Sequence, residues 1–321
     1  MKRKVTTVAY PTIPIVFNSS IRDDRVPLHD TMGLSITDES GEKRTETVVE
    51  VDPKGKGLTG FVLDGKPLDI LRLKTVEKLV DHFNKLTGNN VGIKITSTNY
   101  KIYSGSSDSG AAALTVALND LFQAGLPQDE IAKLANSVSE SAIRAVYGGI
   151  NILAVTPAPM FFARQVASEE DLKDIKIFGL EFDYESRLSA EEIFQLTRLN
   201  PFYQYRLNRI PEWIAQIKLG LLTKDWKRVF ENAEDNCHNA HYLVESSGRR
   251  CRRKEMMNAC IDVEEIRASG LPVYWTAGGG KVINIFSWTP YGDKVEQELI
   301  KRGHKPVRYK VAPGAKVVHS E

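Results

Sequence analysis

Seven small residues stand in a row between two segments of different character. They are Ser104, Gly105, Ser106, Ser107, Asp108, Ser109 and Gly110. Residues 92–97, which precede them, alternate as in a β-strand, and residues 111–124, which follow, are strong helix formers. A strand, a small-residue loop and a helix direct backbone N–H groups and a helix N-terminus to one point, where an anion such as phosphate can bind. The same residues could also form an N-capped helix after a flexible loop.

Two other segments place polar residues where they could face a pocket. Residues 276–280, Thr-Ala-Gly-Gly-Gly, lie between two predicted strands, and three successive glycines favour either a close approach to the backbone or a wide hairpin turn. In residues 139–149, Glu140 and Arg144 are four positions apart and therefore share one helix face. They could form a surface ion pair or the wall of a polar pocket. The chain has no G-x-x-x-x-G-K-S/T motif, so the serine-rich loop is not a Walker-type P-loop.

The predicted elements occur in clusters of strands and clusters of helices, which indicates an α+β fold and not a regular β-α-β alternation. The length of 321 residues fits one large or two medium domains. Because the pattern restarts after about residue 170, we predict two domains, residues 1–172 and residues 173–321. The predicted strands are 5–10, 13–17, 34–37, 45–51, 92–97, 151–155, 175–182, 272–275, 282–286 and 306–311, and the predicted helices are 71–86, 111–124, 128–139, 141–147, 189–197, 209–221, 224–246, 254–268 and 291–302.

Composition argues against several classes of protein. Hydrophobic residues make up 42% and charged residues 26% of the chain, which excludes a disordered chain and a small disulfide scaffold. The 43 Lys and Arg residues against 41 Asp and Glu residues give a net charge of +2, which points to neither nucleic acid nor a membrane surface as a partner. No apolar run is long enough for a signal peptide or a membrane-spanning helix. Three cysteines without a C-x-x-C pair are typical of a reducing, cytoplasmic compartment.

Several segments, in the same order along the chain, resemble motifs of the GHMP small-molecule kinase superfamily, and within it the mevalonate diphosphate decarboxylase branch. The matching segments are residues 9–20, 27–36, 104–112, 139–149 and 275–280. The resemblance implies a two-domain GHMP-kinase-like fold with helices packed on mainly antiparallel sheets. It also implies that residues 1–172 form an ATP-binding domain, that residues 173–321 form a second GHMP-like domain, and that the protein is a homodimer.

The departures from the decarboxylase pattern narrow the implied activity. Decarboxylases of this branch use an Arg, a Lys and an Asp around the substrate. The Arg is present as Arg144, but Phe17 stands at the Lys position, Thr276 at the Asp position, and Glu140 replaces a glycine. This set is similar to the archaeal mevalonate 3-kinase subfamily, in which phosphorylation is kept and decarboxylation is lost. The resemblance therefore implies ATP-dependent phosphorylation of the 3-hydroxyl of (R)-mevalonate, or of a related 3-hydroxy acid, in a modified mevalonate pathway of isoprenoid biosynthesis.

The resemblance also implies roles for individual residues. The loop from Ser104 to Gly110 holds the phosphates of ATP, and Asp108 and Ser109 hold Mg²⁺, because a carboxylate beside phosphate needs a cation. Glu140 accepts a hydrogen bond from a free 5-hydroxyl and repels a 5-diphosphate. The implied substrate-binding residues are Phe17, Ser104, Glu140, Arg144 and Arg187, and the implied catalytic residues are Ser109, Arg144 and Thr276.

Two alternatives stay open at this point. The first is a decarboxylase that acts on diphosphomevalonate or 3,5-bisphosphomevalonate. The second is a catalytically inactive member of the fold that binds a ligand. Glu140 and Arg144 could also pair only with each other, in which case neither side chain would be free to contact a substrate.

Overall fold

The computed structural model describes residues 1–22, 25–68, 70–156, 161–184, 188–279 and 281–321. Its strands are β1 (Lys4–Ala9), β2 (Thr12–Val16), β3 (Thr31–Asp38), β4 (Arg44–Asp52), β5 (Gly57–Leu63), β6 (Lys66–Pro67), β7 (Gly92–Tyr100), β8 (Ile150–Ala154), β9 (Phe162–Ala167), β10 (Ile175–Glu181), β11 (Tyr274–Ala277), β12 (Val282–Trp288), β13 (Val307–Val311) and β14 (Lys316–Ser320). Its helices are α1 (Ile70–Thr87), α2 (Ser106–Leu121), α3 (Gln128–Val138), α4 (Ala142–Tyr147), α5 (Ala190–Arg198), α6 (Tyr203–Thr223), α7 (Trp226–Glu245), α8 (Lys254–Ala268) and α9 (Gly292–Lys301).

The first sheet combines strands of the N-terminal half with β14. Within the described residues its order is β14-β1-β4-β7-β5-β6, and neighbouring strands are antiparallel except β5 and β7, which are parallel. In the first part of β4 every second side chain is buried, as expected of a strand with one covered face. Helices α1 and α2 supply that cover, and Phe83 and Leu118 share a core with Val49 and Ile95 of the sheet.

The second sheet contains strands from both halves of the chain. Its order, again for the part of the chain that the structure describes, is β11-β12-β10-β13-β3-β8-β9, and β2 also pairs with β3. Strand β13 joins the halves, because it pairs with β10 on one side and with β3 on the other. Helices α6 and α7 contribute to the core on this sheet, where the rings of Phe230 and Phe286 stack 4.4 Å apart. The domain boundary at residue 172 stays a prediction, and the strands on either side of it belong to one sheet.

The predicted α+β class is confirmed, with two corrections to helix starts and four missed strands. Helix α2 begins at Ser106 and not at residue 111, because serine and aspartate are favourable in the first turn of a helix as well as in a loop. Helix α6 begins at Tyr203 and not at residue 209, and it continues through Pro211. The strands that were not predicted are β5, β6, β9 and β14. Every residue of β14 is exposed, so no buried face produces an apolar alternation there.

Two further features concern the helices and the cysteines. None of the described helices is both long enough and apolar enough to cross a lipid bilayer. Cys237, Cys251 and Cys260 are all buried free thiols, and burial raises the pKa of Cys237 to about 12. These cysteines are therefore part of the packed interior and are not poised as nucleophiles.

Candidate active site

A cavity of about 180 Å³ brings together segments that are far apart in the sequence. Its walls come from β2 and the residues that follow it, the start of α2, the turn between α3 and α4, the start of α5 and the loop after β11. The residues singled out from the sequence that line this cavity are Phe17, Ser104, Gly105, Ser106, Ser107, Asp108, Glu140 and Arg144. The structure therefore unites most of the expected phosphate loop with most of the expected substrate contacts.

The start of helix α2 is the candidate phosphate site. Gly105 precedes the helix with a φ of +81°, a conformation that glycine adopts without strain. A Cβ atom at this position would lie 2.8 Å from the backbone oxygen of Thr12, so glycine also permits the close approach of β2. No side chain caps the helix. The first N–H groups of α2, beginning with Ser106 and Ser107, therefore lie at the cavity with the positive end of the helix dipole and can bind an anion.

Asp108 is a buried carboxylate in the first turn of α2. It accepts hydrogen bonds from the hydroxyls of Thr12, at 2.5 Å, and Ser139, at 3.2 Å. Burial raises the pKa of Asp108 to about 6, while the nearby Arg144 guanidinium and the Thr12 hydrogen bond act in the opposite direction. A buried carboxylate next to hydroxyl oxygens is a set of hard oxygen donors, and these residues fit Mg²⁺.

Ser109, by contrast, is not brought to the cavity. Its side chain is buried, and its hydroxyl lies 2.6 Å from the Thr45 hydroxyl and donates to the backbone oxygens of Gly105 and Ser106 at 3.3 Å. The reason is helical geometry, because successive residues of a helix point about 100° apart around its axis. Asp108 therefore lines the cavity while Ser109 ties α2 to β4, which places it away from the metal and phosphate contacts that we expected.

Arg144 supplies a buried positive charge at the cavity. It lies on α4 and is 5% exposed, and its Nε and Nη2 atoms have no hydrogen-bond partner among the described residues. The side chain crosses β3 at Gly33, where an added Cβ atom would lie 2.3 Å from the Arg144 Cδ atom. Burial lowers the pKa of Arg144, and the carboxylates of Asp108 and Glu140 oppose that change. Buried donors without partners are costly, so this guanidinium is suited to an anionic ligand.

Glu140 pairs with Arg25, a residue that was not predicted from the sequence. The Arg25 Nη2 atom lies 2.6 Å from the Glu140 Oε2 atom. Within the described residues no ion pair joins Glu140 to Arg144, because α3 ends at Val138 and α4 begins at Ala142. Glu140 therefore lies in the turn between two helices, where the four-residue spacing does not set side chains on one face. No local pattern marks Arg25, since 115 positions separate it from its partner.

Phe17 and Asn18 line the cavity just after β2. The backbone of Phe17 is fixed, because its oxygen accepts a hydrogen bond from Arg206 at 2.8 Å and its N–H donates to Asn236 at 2.9 Å. The Asn18 side chain is 7% exposed, and in the part of the chain that the structure describes neither its amide oxygen nor its amide nitrogen has a hydrogen-bond partner. An amide that is buried without partners is costly, so Asn18 is a second unpredicted candidate for contact with a polar ligand.

Only some of the remaining residues that the sequence predicted at the site lie at the cavity. Ser104 lines the cavity, and so do Gly278 and Gly279 from the loop after β11. Thr276 lies within β11, where it is 1% exposed and its hydroxyl has no hydrogen-bond partner. It is not among the described residues that line the cavity. Arg187 lies outside the described residues.

Residues 9–156 match the family of diphosphomevalonate decarboxylase-like N-terminal domains. Over 288 residues the chain is 28% identical to the mevalonate 3-kinase of Thermoplasma acidophilum, and the match covers 87% of each chain. Over 290 residues it is 27% identical to the mevalonate 3-kinase of Picrophilus torridus, with 88% of this chain and 87% of that one covered. The chain is thus a homologue of the mevalonate 3-kinases, and its N-terminal part is similar to the diphosphomevalonate decarboxylase-like domains.

The architecture of the chain agrees with that of these relatives. A crystal structure of the Thermoplasma acidophilum mevalonate 3-kinase, with mevalonate 3-phosphate and ADP bound, matches it with a TM-score of 0.89 at 24% identity over the whole of both chains. The predicted GHMP-kinase-like fold, with helices packed on mainly antiparallel sheets, is thereby confirmed. The domain family that residues 9–156 match is named for decarboxylases, whereas the two relatives are kinases. The residues around the cavity must therefore distinguish the two activities.

Proposed function

We propose that this GHMP kinase transfers the γ-phosphoryl group of ATP to the 3-hydroxyl of (R)-mevalonate and forms 3-phosphomevalonate, a step in a modified mevalonate pathway of isoprenoid biosynthesis. One observation carries the proposal: the uncapped start of α2 and the unpartnered guanidinium of Arg144 line the same cavity. The first suits the phosphates of ATP, and the second suits the carboxylate of a 3-hydroxy acid. The two relatives named mevalonate 3-kinase support the same reaction.

The transfer forms a bond between the 3-oxygen and the γ-phosphorus, and it breaks the bond between that phosphorus and the oxygen that stays on ADP. Such transition states are loose, so positioning and charge neutralisation supply most of the acceleration, and the hydroxyl proton needs little help from a base. In this chain the N–H groups of Ser106 and Ser107 bind phosphate oxygens of ATP. Arg144 binds the carboxylate of mevalonate and so places its 3-oxygen in line with the γ-phosphorus. Mg²⁺ held by Asp108 would supply further neutralisation of the phosphate charge.

The acidic wall of the cavity favours an acceptor with an uncharged tail. Glu140 lines the cavity, and its Oε2 atom is engaged by Arg25, which leaves Oε1 to accept a hydrogen bond from the 5-hydroxyl of mevalonate. A 5-phosphate or 5-diphosphate would bring like charge against this carboxylate in a partly dry site. We also assign substrate contacts to Phe17, Ser104 and Arg187.

Decarboxylation is the second candidate, and the cavity does not favour it. Decarboxylases of this branch place a Lys and an Asp at the positions of Phe17 and Thr276. Both residues are neutral here, so they cannot form an ammonium–carboxylate pair around the 3-oxygen. Loss of the 3-phosphate together with CO₂ is therefore expected to be slow. Thr276 contributes through β11, the strand that leads to Gly278 and Gly279 at the cavity.

Four further features complete the proposal. The metal is Mg²⁺, because the oxygen donors around Asp108 suit a small hard cation. The protein works in the cytoplasm, in keeping with its three free cysteines. It is a homodimer, as the family resemblance implies, and sedimentation measurements would test this. Residues 1–172 form the ATP-binding domain and residues 173–321 form the second domain.

Product analysis tests the proposed reaction directly. The protein is incubated with ATP, Mg²⁺ and (R)-mevalonate, and ³¹P NMR distinguishes an ester on the tertiary 3-oxygen from one on the primary 5-oxygen. We expect 3-phosphomevalonate and ADP, without CO₂. A 5-phosphate would contradict the assigned position, and CO₂ released from diphosphomevalonate at enzyme-like rates would favour the decarboxylase. Absence of any phosphorylation would favour a ligand-binding member of the fold.

A further inference from the structure

Glu140 has charged neighbours on three elements around it. Arg25, from the segment between β2 and β3, makes the contact at 2.6 Å. Arg144 on α4 and Asp108 on α2 both interact electrostatically with the Glu140 carboxylate. Glu140 and Arg144 line the cavity, whereas Arg25 contacts Glu140 without being among the described lining residues.

Arg25 is held in place by its backbone as well as by its side chain. Its N–H donates to the Arg22 oxygen at 3.0 Å, and its own oxygen accepts a hydrogen bond from the buried Asn136 of α3 at 3.3 Å. The φ of Arg25 is +63°, in the left-handed region that is unfavourable for a residue with a Cβ atom. These two backbone contacts and the ion pair with Glu140 therefore hold Arg25 beside the end of α3.

Arg144 keeps free donors although a carboxylate lies four positions away in the sequence. A glutamate beside a buried guanidinium with unsatisfied N–H groups gains a strong charge-assisted hydrogen bond by turning towards it. In this structure the Nε and Nη2 atoms of Arg144 remain without partners, and Glu140 contacts Arg25 instead. Arg25 therefore competes with Arg144 for the same carboxylate.

We propose that Arg25 is a positioning residue that holds Glu140 away from Arg144. The guanidinium of Arg144 then stays free to bind the carboxylate of the acceptor, and Glu140 keeps one oxygen for the alcohol end. Without Arg25, Glu140 turns to Arg144 and occupies the donors that the acceptor needs. The identity of the acceptor as a 3-hydroxy acid rests on the proposed function, whereas the separation of the two side chains does not.

A suppressor experiment tests this role through mevalonate affinity, measured by calorimetry, and through kcat and KM. Arg25→Asn removes the cation and tolerates a positive φ, so the backbone turn is kept. We expect it to raise Kd and KM for mevalonate about tenfold while kcat changes less than about threefold. Adding Glu140→Gln to Arg25→Asn should then lower Kd again by about threefold or more, because a neutral amide releases Arg144.

Three comparisons separate positioning from general damage to the fold. Arg25→Lys keeps the charge and should bind mevalonate within about threefold of the parent protein. Glu191→Gln is the matched control. Glu191 is exposed, and its Oε1 atom lies 3.8 Å from the Arg25 Nη2 atom, so this variant should leave the Kd for mevalonate unchanged. Thermal unfolding shows whether each variant is folded, and Arg25→Gly replaces Arg25→Asn if the latter is not.

Two results would overturn the proposal. One is an Arg25→Asn variant that binds mevalonate as tightly as the parent protein. The other is an Arg25→Asn, Glu140→Gln double variant that binds no better than Arg25→Asn alone, because damage to the fold is not repaired by losing a second charge. A product phosphorylated on the 5-oxygen would instead overturn the proposed function, and it would leave suppression by Glu140→Gln intact.

Discussion

The two ends of the cavity are built in different ways. The phosphate end is mainly backbone: a glycine with positive φ, an uncapped helix start and a run of neighbouring small residues. The acceptor end is mainly side chains, with Arg25, Glu140, Arg144 and Asn18 contributed by separate segments and Gly33 making room for one of them. A backbone site is encoded locally, whereas a side-chain site depends on the whole fold. The two ends should therefore respond differently to substitution.

Arg144→Ala should have the largest effect. If the guanidinium binds the carboxylate of mevalonate in a buried site, kcat/KM should fall by about 10²-fold or more, or about 3 kcal/mol. Steady-state kinetics with mevalonate as the varied substrate measures the loss. Nucleotide affinity serves as the internal comparison and should change less, because the N–H groups at the start of α2 are kept while Asp108 loses a nearby positive charge. Near-normal kinetics would remove Arg144 from the acceptor site.

Substituting one glycine at each end separates the two halves of the cavity. Gly33→Ala pushes the Arg144 side chain away from its position and should raise KM for mevalonate roughly tenfold. Some stability should also be lost, because the displaced Cδ atom belongs to a buried side chain. Gly105→Ala adds a Cβ atom at positive φ against the backbone of Thr12, so it should raise KM for ATP and lower the free energy of unfolding by about 1–3 kcal/mol. Similar effects on both substrates in either variant would contradict the separation.

Asn18→Leu tests the smaller polar contribution to the acceptor end. Leucine has a similar size and its side chain cannot form hydrogen bonds. If the Asn18 amide contacts mevalonate, the substitution should remove that hydrogen bond and weaken mevalonate binding. We expect KM for mevalonate to rise about fivefold with KM for ATP unchanged. A lower KM, or a more stable protein with unchanged kinetics, would show that the unpaired amide makes no contact with the substrate.

The smallest effect concerns stability and pH. Burial lowers the pKa of His29 to about 3, while Arg206 nearby acts in the same direction. The unfolded chain takes up a proton near pH 6.5 and the folded chain does not, so stability is full above that pH and falls as pH decreases from about 6.5 towards 3. The free energy of unfolding is measured with urea at pH 7 and pH 5. It should depend less on pH in His29→Gln than in the parent protein, by up to about 1.4 kcal/mol per pH unit. The exposed His319 provides the control, since His319→Gln should leave the slope unchanged.

Most of the fold was accessible from sequence patterns, because strands and helices with one buried face leave a clear periodicity. Helix α8 begins and ends where predicted, at Lys254 and Ala268, and α1 and α7 differ by only one or two residues. Strand β14 was not predictable, since its exposed residues have no apolar side. The pairing of β13 with both β10 and β3 was also inaccessible, because strand neighbours depend on packing across the whole chain.

The candidate site also combines features that a local sequence pattern predicts with features that depend on the folded chain. The small-residue run beside a helix start could be predicted because glycine, serine and aspartate must be adjacent to form it. Ser109 instead points away from the cavity, and Gly110 is not among the described residues that line it. At the acceptor end, Glu140 and Arg144 came from the family resemblance. Arg25 and Asn18 had no local signal, since an unsatisfied or paired side chain is visible only once the walls are assembled.

The missing cap on α2 links catalysis to folding. A helix normally completes its first turn with a serine, threonine or aspartate oxygen, and here that place is left to whatever enters the cavity. The triphosphate would then finish a piece of secondary structure that the polypeptide leaves incomplete. Nucleotide and protein would each be more rigid together than apart, and thermal stability should rise with nucleotide concentration.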